Sequence, residues 1–255
     1  MKLFEPLARL GVFSMADAEL LTGNLHTART AVARLVDKGY VRKARNGLYA
    51  AVDPATGGLI PSKYQIACAI NTSAYLTHHT ALEFHGFANQ VFYEVYVASI
   101  PKFRDFSFEG VTYRRVVPKI HVGVIEPRNT VGIRVTDLER TVIDSIRDVE
   151  KIGGVDELLN CLGAIPYLEE SKLKIYLDAY GVQALYQKAG FLLEKFVEQL
   201  QLSQEFVEYC RSKAGKSTRY FLAEAKKDGM YVREWRLVVP DWLFGVIRYG
   251  DSALL

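Results

Sequence analysis

The sequence predicts an α+β fold in two parts: a small helical module ended by a β-hairpin over residues 1–53, and a mixed α+β domain of mostly antiparallel sheet plus helices over residues 54–255. Three observations carry this. Apolar residues recur at helical spacing in three segments before Gly39. Asn46-Gly47 then falls between two β-prone runs, the strongest short-range hairpin signal. After the turn-rich stretch Asp53-Pro54-Ala55-Thr56-Gly57-Gly58, a block of alternating strands gives way near Thr136 to a block of helices.

In the first module, Leu3, Leu7 and Leu10 share one face of a helix over residues 2–10, and Gly11 stops it. Ser14 caps a second helix, with Asp17 three residues on as its capping partner, ending near Gly23. Asn24 or Thr27 opens a third helix reaching Lys38, with Ala28, Val32, Leu35 and Val36 as its buried stripe. The hairpin follows, with a type I′ turn expected at Asn46-Gly47 because both positions then take positive φ. Two short helices in a tight turn followed by a hairpin make the plan of a winged helix-turn-helix, with the third helix as recognition helix and the hairpin as wing. The outer face of that helix carries His26, Thr27, Arg29, Thr30 and Arg34; the wing carries Arg42, Lys43, Arg45 and Asn46. Short polar and basic side chains in this arrangement suit base edges and phosphates, so double-stranded DNA is the expected partner.

Charge points the same way. Residues 1–52 hold eight Lys or Arg against four acids, while the other residues are close to neutral, within a whole-chain net charge of +3. A basic module on a neutral body suits a polyanion. Three scattered cysteines, Cys68, Cys161 and Cys210, argue against a disulfide framework or a thiolate metal site and fit a reducing, cytoplasmic setting. There is no signal-peptide pattern and no apolar run of the ~20 residues a membrane span requires, so no membrane role is expected.

In the second part, Pro61 reads as the first residue of a helix reaching about Ile70, Tyr75-Leu76 as a brief extended piece, and Thr77 as the cap of a short helix stopped at Gly86. Strands are expected over 91–98, 106–109, 111–117, 122–125 and 132–135. Thr136-Asp137-Leu138-Glu139 reads as a capping box opening a helix. Further helices are expected near 153–163, 170–179, 182–201 and 203–214, and a closing strand pair near 218–224 and 230–238.

No catalytic group, metal site or cofactor is expected. His78, His79 and His85 lack neighbouring acids or thiolates, Arg140 and Asp144 form an i,i+4 pair, and no Gly-rich phosphate loop, G-x-S-x-G or zinc spacing occurs. Arg211, Lys213, Lys216 and Arg219 form a second basic group, a candidate contact for flanking DNA or an acidic partner, though cations at a helix C-terminus also complement its dipole. Trp235, Trp242 and Tyr249 fit either interface anchors or a closing sheet.

Three stretches carry a resemblance: Ala31–Tyr40 running into Arg45-Asn46-Gly47-Leu48-Tyr49-Ala50; Tyr75–Phe87, with its Thr80-Ala81-Leu82-Glu83-Phe84-His85-Gly86 core; and Val135–Asp144, with Thr136, Glu139, Arg140, Thr141 and Asp144 in a T-x-x-E-R-T-x-x-D pattern. The chain resembles the AbiEi family of antitoxins and transcriptional regulators, which accompany nucleotidyltransferase-like toxins in abortive-infection systems. The resemblance runs to about residue 150 and implies operator binding that represses the protein's own operon, and antagonism of a nucleotidyltransferase toxin by the C-terminal domain. Without a heptad run to hold a coiled-coil dimer, the expected operator is an inverted repeat met by two monomers or a weak dimer, and no enzymatic role is expected. The alternative expectation is a stand-alone winged-helix regulator whose C-terminal domain senses a ligand or partner.

Overall fold

A computed structural model describes Leu3–Phe244 and divides them into two units. One takes the described residues up to Ala81 together with Val91–Pro118 and Val124–Thr136. The other takes Leu82–Gln90, Lys119–Gly123 and the described residues from Asp137 on. The architecture is mixed α+β.

The first unit opens with α1 (Phe4–Leu10), stopped where Gly11 turns to φ 71° and donates its N–H to the carbonyls of Leu7 and Ala8. Only glycine adopts such a φ without a Cβ penalty. A short strand, β1 (Val12–Ser14), follows; three residues are too few for alternation to announce it. Ser14 then caps α2 (Met15–Thr22): its hydroxyl accepts the Asp17 N–H at 3.2 Å, and the Asp17 carboxylate accepts the Ser14 N–H at 2.7 Å. Asn24 caps α3 (Leu25–Asp37), its side-chain oxygen accepting from the backbone N–H groups of His26 and Thr27. Strands β2 (Val41–Arg45) and β3 (Leu48–Ala51) form the hairpin, and β3 lies between β1 and β2, antiparallel to both. Leu7, Phe13, Ala18, Ala28, Val32 and Val41 are the core of this module, with Phe13 stacked on Tyr49 at 5.6 Å.

The hairpin turn differs from the type I′ expectation. Gly47 has φ 78°, but Asn46 is not among the positive-φ residues, so only one left-handed position is used. The strand register also shifts between Lys43 and Arg45.

The same unit continues with α4 (Lys63–Cys68), whose N-cap is Ser62 in a capping box with Gln65. The helix therefore starts two residues beyond the expected Pro61, because the hydroxyl supplies a cap that proline lacks. The strands β4 (Tyr75–Leu76), β5 (Glu94–Ala98), β6 (Phe106–Phe108), β7 (Val111–Val116), β8 (Val124–Ile125) and β9 (Val135–Thr136) form one sheet in the order β6-β7-β5-β4-β9-β8. β5 pairs with β7, and β4 with β9, in parallel. The other three pairings, β4 with β5, β6 with β7 and β8 with β9, are antiparallel, so the sheet is mostly antiparallel as expected, with two parallel pairings that alternation alone does not reveal. Helix α5 (His78–Phe84) begins in this unit and ends in the other.

The second unit is mainly helical: α6 (Leu138–Arg147), α7 (Val155–Ala164), α8 (Glu170–Tyr180), α9 (Gln183–Leu193) and α10 (Gln204–Lys213). The long helix expected over 182–201 ends at Leu193 and passes into a 3₁₀ turn, Glu194–Phe196. The expected strand pair is a three-stranded sheet of β10 (Arg219–Tyr220), β11 (Gly229–Val232) and β12 (Leu237–Pro240), with β12 central. Leu162, Leu177, Phe191, Phe206 and Trp235 are fully or almost fully buried in its core. Gly190 sits where a Cβ would come within 2.1 Å of the Trp235 ring, so the helix gives way to the indole there.

Candidate nucleic-acid interface

Helix α3 divides cleanly by burial. Ala28 and Val32 are buried and Leu35 and Val36 half-buried, while His26, Thr27, Arg29, Thr30 and Arg34 are all exposed. The inward residues recur at 3–4 residue spacing, so the rest necessarily share the outer face. Among the described residues, Arg29 and Arg34 take part in no ion pair. The five side chains are brought together on one helix and left open to a ligand.

The hairpin cations are placed differently from one another. Lys43 and Asn46 are exposed. Arg42 donates to Glu109 at 2.6 Å and to the Gly57 carbonyl at 3.0 Å. The Arg45 guanidinium lies over two rings, 5.5 Å from Phe103 and 5.2 Å from Phe106. Glu109, Phe103 and Phe106 were not signalled by the sequence, because they lie about sixty residues downstream on β6 and its neighbouring turns. The Arg42–Glu109 pair is 40% and 41% exposed. An exposed pair of this kind is worth about 0–1 kcal/mol, so Glu109 holds Arg42 only weakly.

The second basic group is half occupied. Arg211 donates to Glu194 and Glu208 and lies 5.2 Å over Trp235. Lys213 lies 5.6 Å over Tyr209. Lys216 and Arg219 are exposed. Trp235 is fully buried and donates its indole N–H to Glu194, while Trp242 is partly exposed and donates to Glu224; Tyr249 lies outside the described residues.

The charged motif at the start of α6 holds the second unit together. The helix cap is Asp137, which accepts the Arg140 N–H at 2.9 Å. Glu139 instead accepts the Glu169 N–H at 3.0 Å, so the expected capping box does not form. Arg140 is 1% exposed; it donates to Asp144 at 2.7 Å and to the Val122 and Ile120 carbonyls. Tyr176 donates to Asp137 and Tyr180 to Asp144. Burial raises the Asp137 carboxyl above its ordinary range, against the lowering effect of Tyr176. These groups are committed to one another. The segment around α5 is likewise packed inward: Thr80 accepts the Tyr96 N–H at 2.8 Å, and His79 stacks on Phe92 at 3.6 Å. Among the described residues no group of three or more His, Cys, Asp or Glu is placed to hold a metal ion, and no helix is long and apolar enough to cross a membrane.

No family model matches the chain, and no curated protein gives a significant match. Among solved structures it is similar to the RV2827C protein from Mycobacterium tuberculosis, at a TM-score of 0.67 and 16% identity, over 97% of this chain and 93% of that one. A likeness at that identity speaks for a shared mixed α+β fold.

Proposed function

We propose that the N-terminal module is a winged helix-turn-helix that binds duplex DNA, and that the chain is the autorepressor and antitoxin of a system whose toxin is a nucleotidyltransferase. The observation that carries the DNA half is the outer face of α3: five polar or basic side chains exposed together, with both arginines outside any ion pair among the described residues. The supporting surround is a three-helix core closed by a three-stranded sheet whose hairpin carries Arg42, Lys43 and Arg45. The antitoxin half rests on the resemblance of Tyr75–Phe87 and Val135–Asp144 to AbiEi-family segments. In this reading α3 enters the major groove and the hairpin flanks it on phosphates.

A reporter fused to the promoter upstream of the gene tests it. The wild-type chain represses the reporter, and the Arg29→Ala/Arg34→Ala variant releases it while remaining folded. Equal reporter output with wild-type chain, variant or neither would remove the proposal.

A further inference from the structure

The β2–β3 hairpin and the β6 edge of the sheet belong to one unit, and the meeting of β2 with β6 assembles charge. Arg45 lies against Phe103 and Phe106. Phe103 is buried, and both its chain neighbours, Lys102 and Arg104, are exposed. Consecutive Cα atoms are about 3.8 Å apart, so both side chains are rooted beside the ring that holds Arg45. The acids here are already matched. Glu94 pairs with Arg114 at 2.5 Å; Asp105 accepts the Arg115 N–H at 2.9 Å and lies 3.7 Å from Arg114; Glu109 pairs with Arg42. Among the described residues Lys43, Lys102 and Arg104 take part in no ion pair. What remains uncompensated along the hairpin and the adjoining loop is therefore positive.

We infer that Lys102 and Arg104 extend the hairpin's phosphate-binding surface, so that the loop 101–105 holds the backbone of duplex DNA beyond the stretch met by α3. This rests on the DNA-binding reading of the module. Duplex DNA carries one charge per ~1.7 Å of axis, so a row of separated cations meets phosphates at any sequence. The two rings nearest the loop are taken up, Phe103 being buried and Phe106 lying under Arg45, so Lys102 and Arg104 flank charge rather than an open aromatic anchor of the kind a protein interface centres on.

The test measures binding of the full chain to a mixed-sequence duplex long enough to overhang the module, across a KCl series. Lys102→Ala/Arg104→Ala lowers the slope of log K against log salt by about two units, and weakens binding on the order of tenfold at the low-salt end. Lys102→Arg/Arg104→Lys keeps the wild-type slope. A Lys102→Ala/Arg104→Ala protein with unchanged slope and affinity overturns the inference, whatever it does to protein partners. If the wild-type chain shows no salt-dependent binding, the DNA reading falls as well. If Arg29→Ala/Arg34→Ala weakens binding while the loop variant does not, only the loop assignment falls.

Discussion

Removing the guanidinium of Arg140 leaves Asp144 buried with a partner lost and strands the carbonyls of Val122 and Ile120. Breaking a buried ion pair from one side costs about 3–5 kcal/mol, so Arg140→Ala is expected to lower unfolding stability by that order, read by urea denaturation. An effect under about 1 kcal/mol, the value of an exposed pair, would contradict the structural role. Gly190→Ala drives a methyl into the Trp235 ring. Overpacking of this kind costs about 1–3 kcal/mol, and a loss of stability accompanied by altered Trp fluorescence is the expected sign. The three thiols are buried, and burial pushes Cys161 and Cys210 up to about 12. Thiolate is the reactive form, so the native protein labels slowly with a thiol reagent near neutral pH and the urea-unfolded protein quickly. Rapid labelling of the native chain would argue against that burial.

At the scale of elements, the hairpin depends on one left-handed residue. Gly47→Ala keeps φ near 78° only under strain of about 1–2 kcal/mol, and β2–β3 amide exchange is expected to speed up. The capped helices α2 and α3 and the existence of the hairpin were legible because each depends on residues within a few positions: Ser14 with Asp17, Asn24 with His26 and Thr27, Asn46 with Gly47. The outer face of α3 was legible for the same reason. What was not legible is set by distant partners. Strand β1 exists because β3 offers it a ladder, and β5 runs parallel to β7 because β6 turns the chain back between them. The states of Arg42 and Arg45 depend on Glu109, Phe103 and Phe106, which no local pattern links to the hairpin. Glu109→Gln removes the competitor for Arg42 and is expected to tighten binding to duplex DNA modestly; weaker binding would mean that Glu109 positions Arg42 instead of restraining it.

At the scale of the molecule, one chain is proposed to join DNA binding to toxin control. An adjacent nucleotidyltransferase gene that arrests growth alone, and is neutralised when this chain is co-expressed, is the expected outcome for the antitoxin half. Unrelieved arrest would favour a stand-alone regulator. The central claim, that α3 reads duplex DNA, is tested most directly by the affinity ratio between DNA from upstream of the gene and an unrelated duplex of equal length at fixed salt. The wild-type chain should prefer the upstream DNA by about 10³-fold or more, and Arg29→Ala/Arg34→Ala should bring that ratio close to one. A wild-type ratio near one, or a ratio untouched by the substitutions, would contradict it.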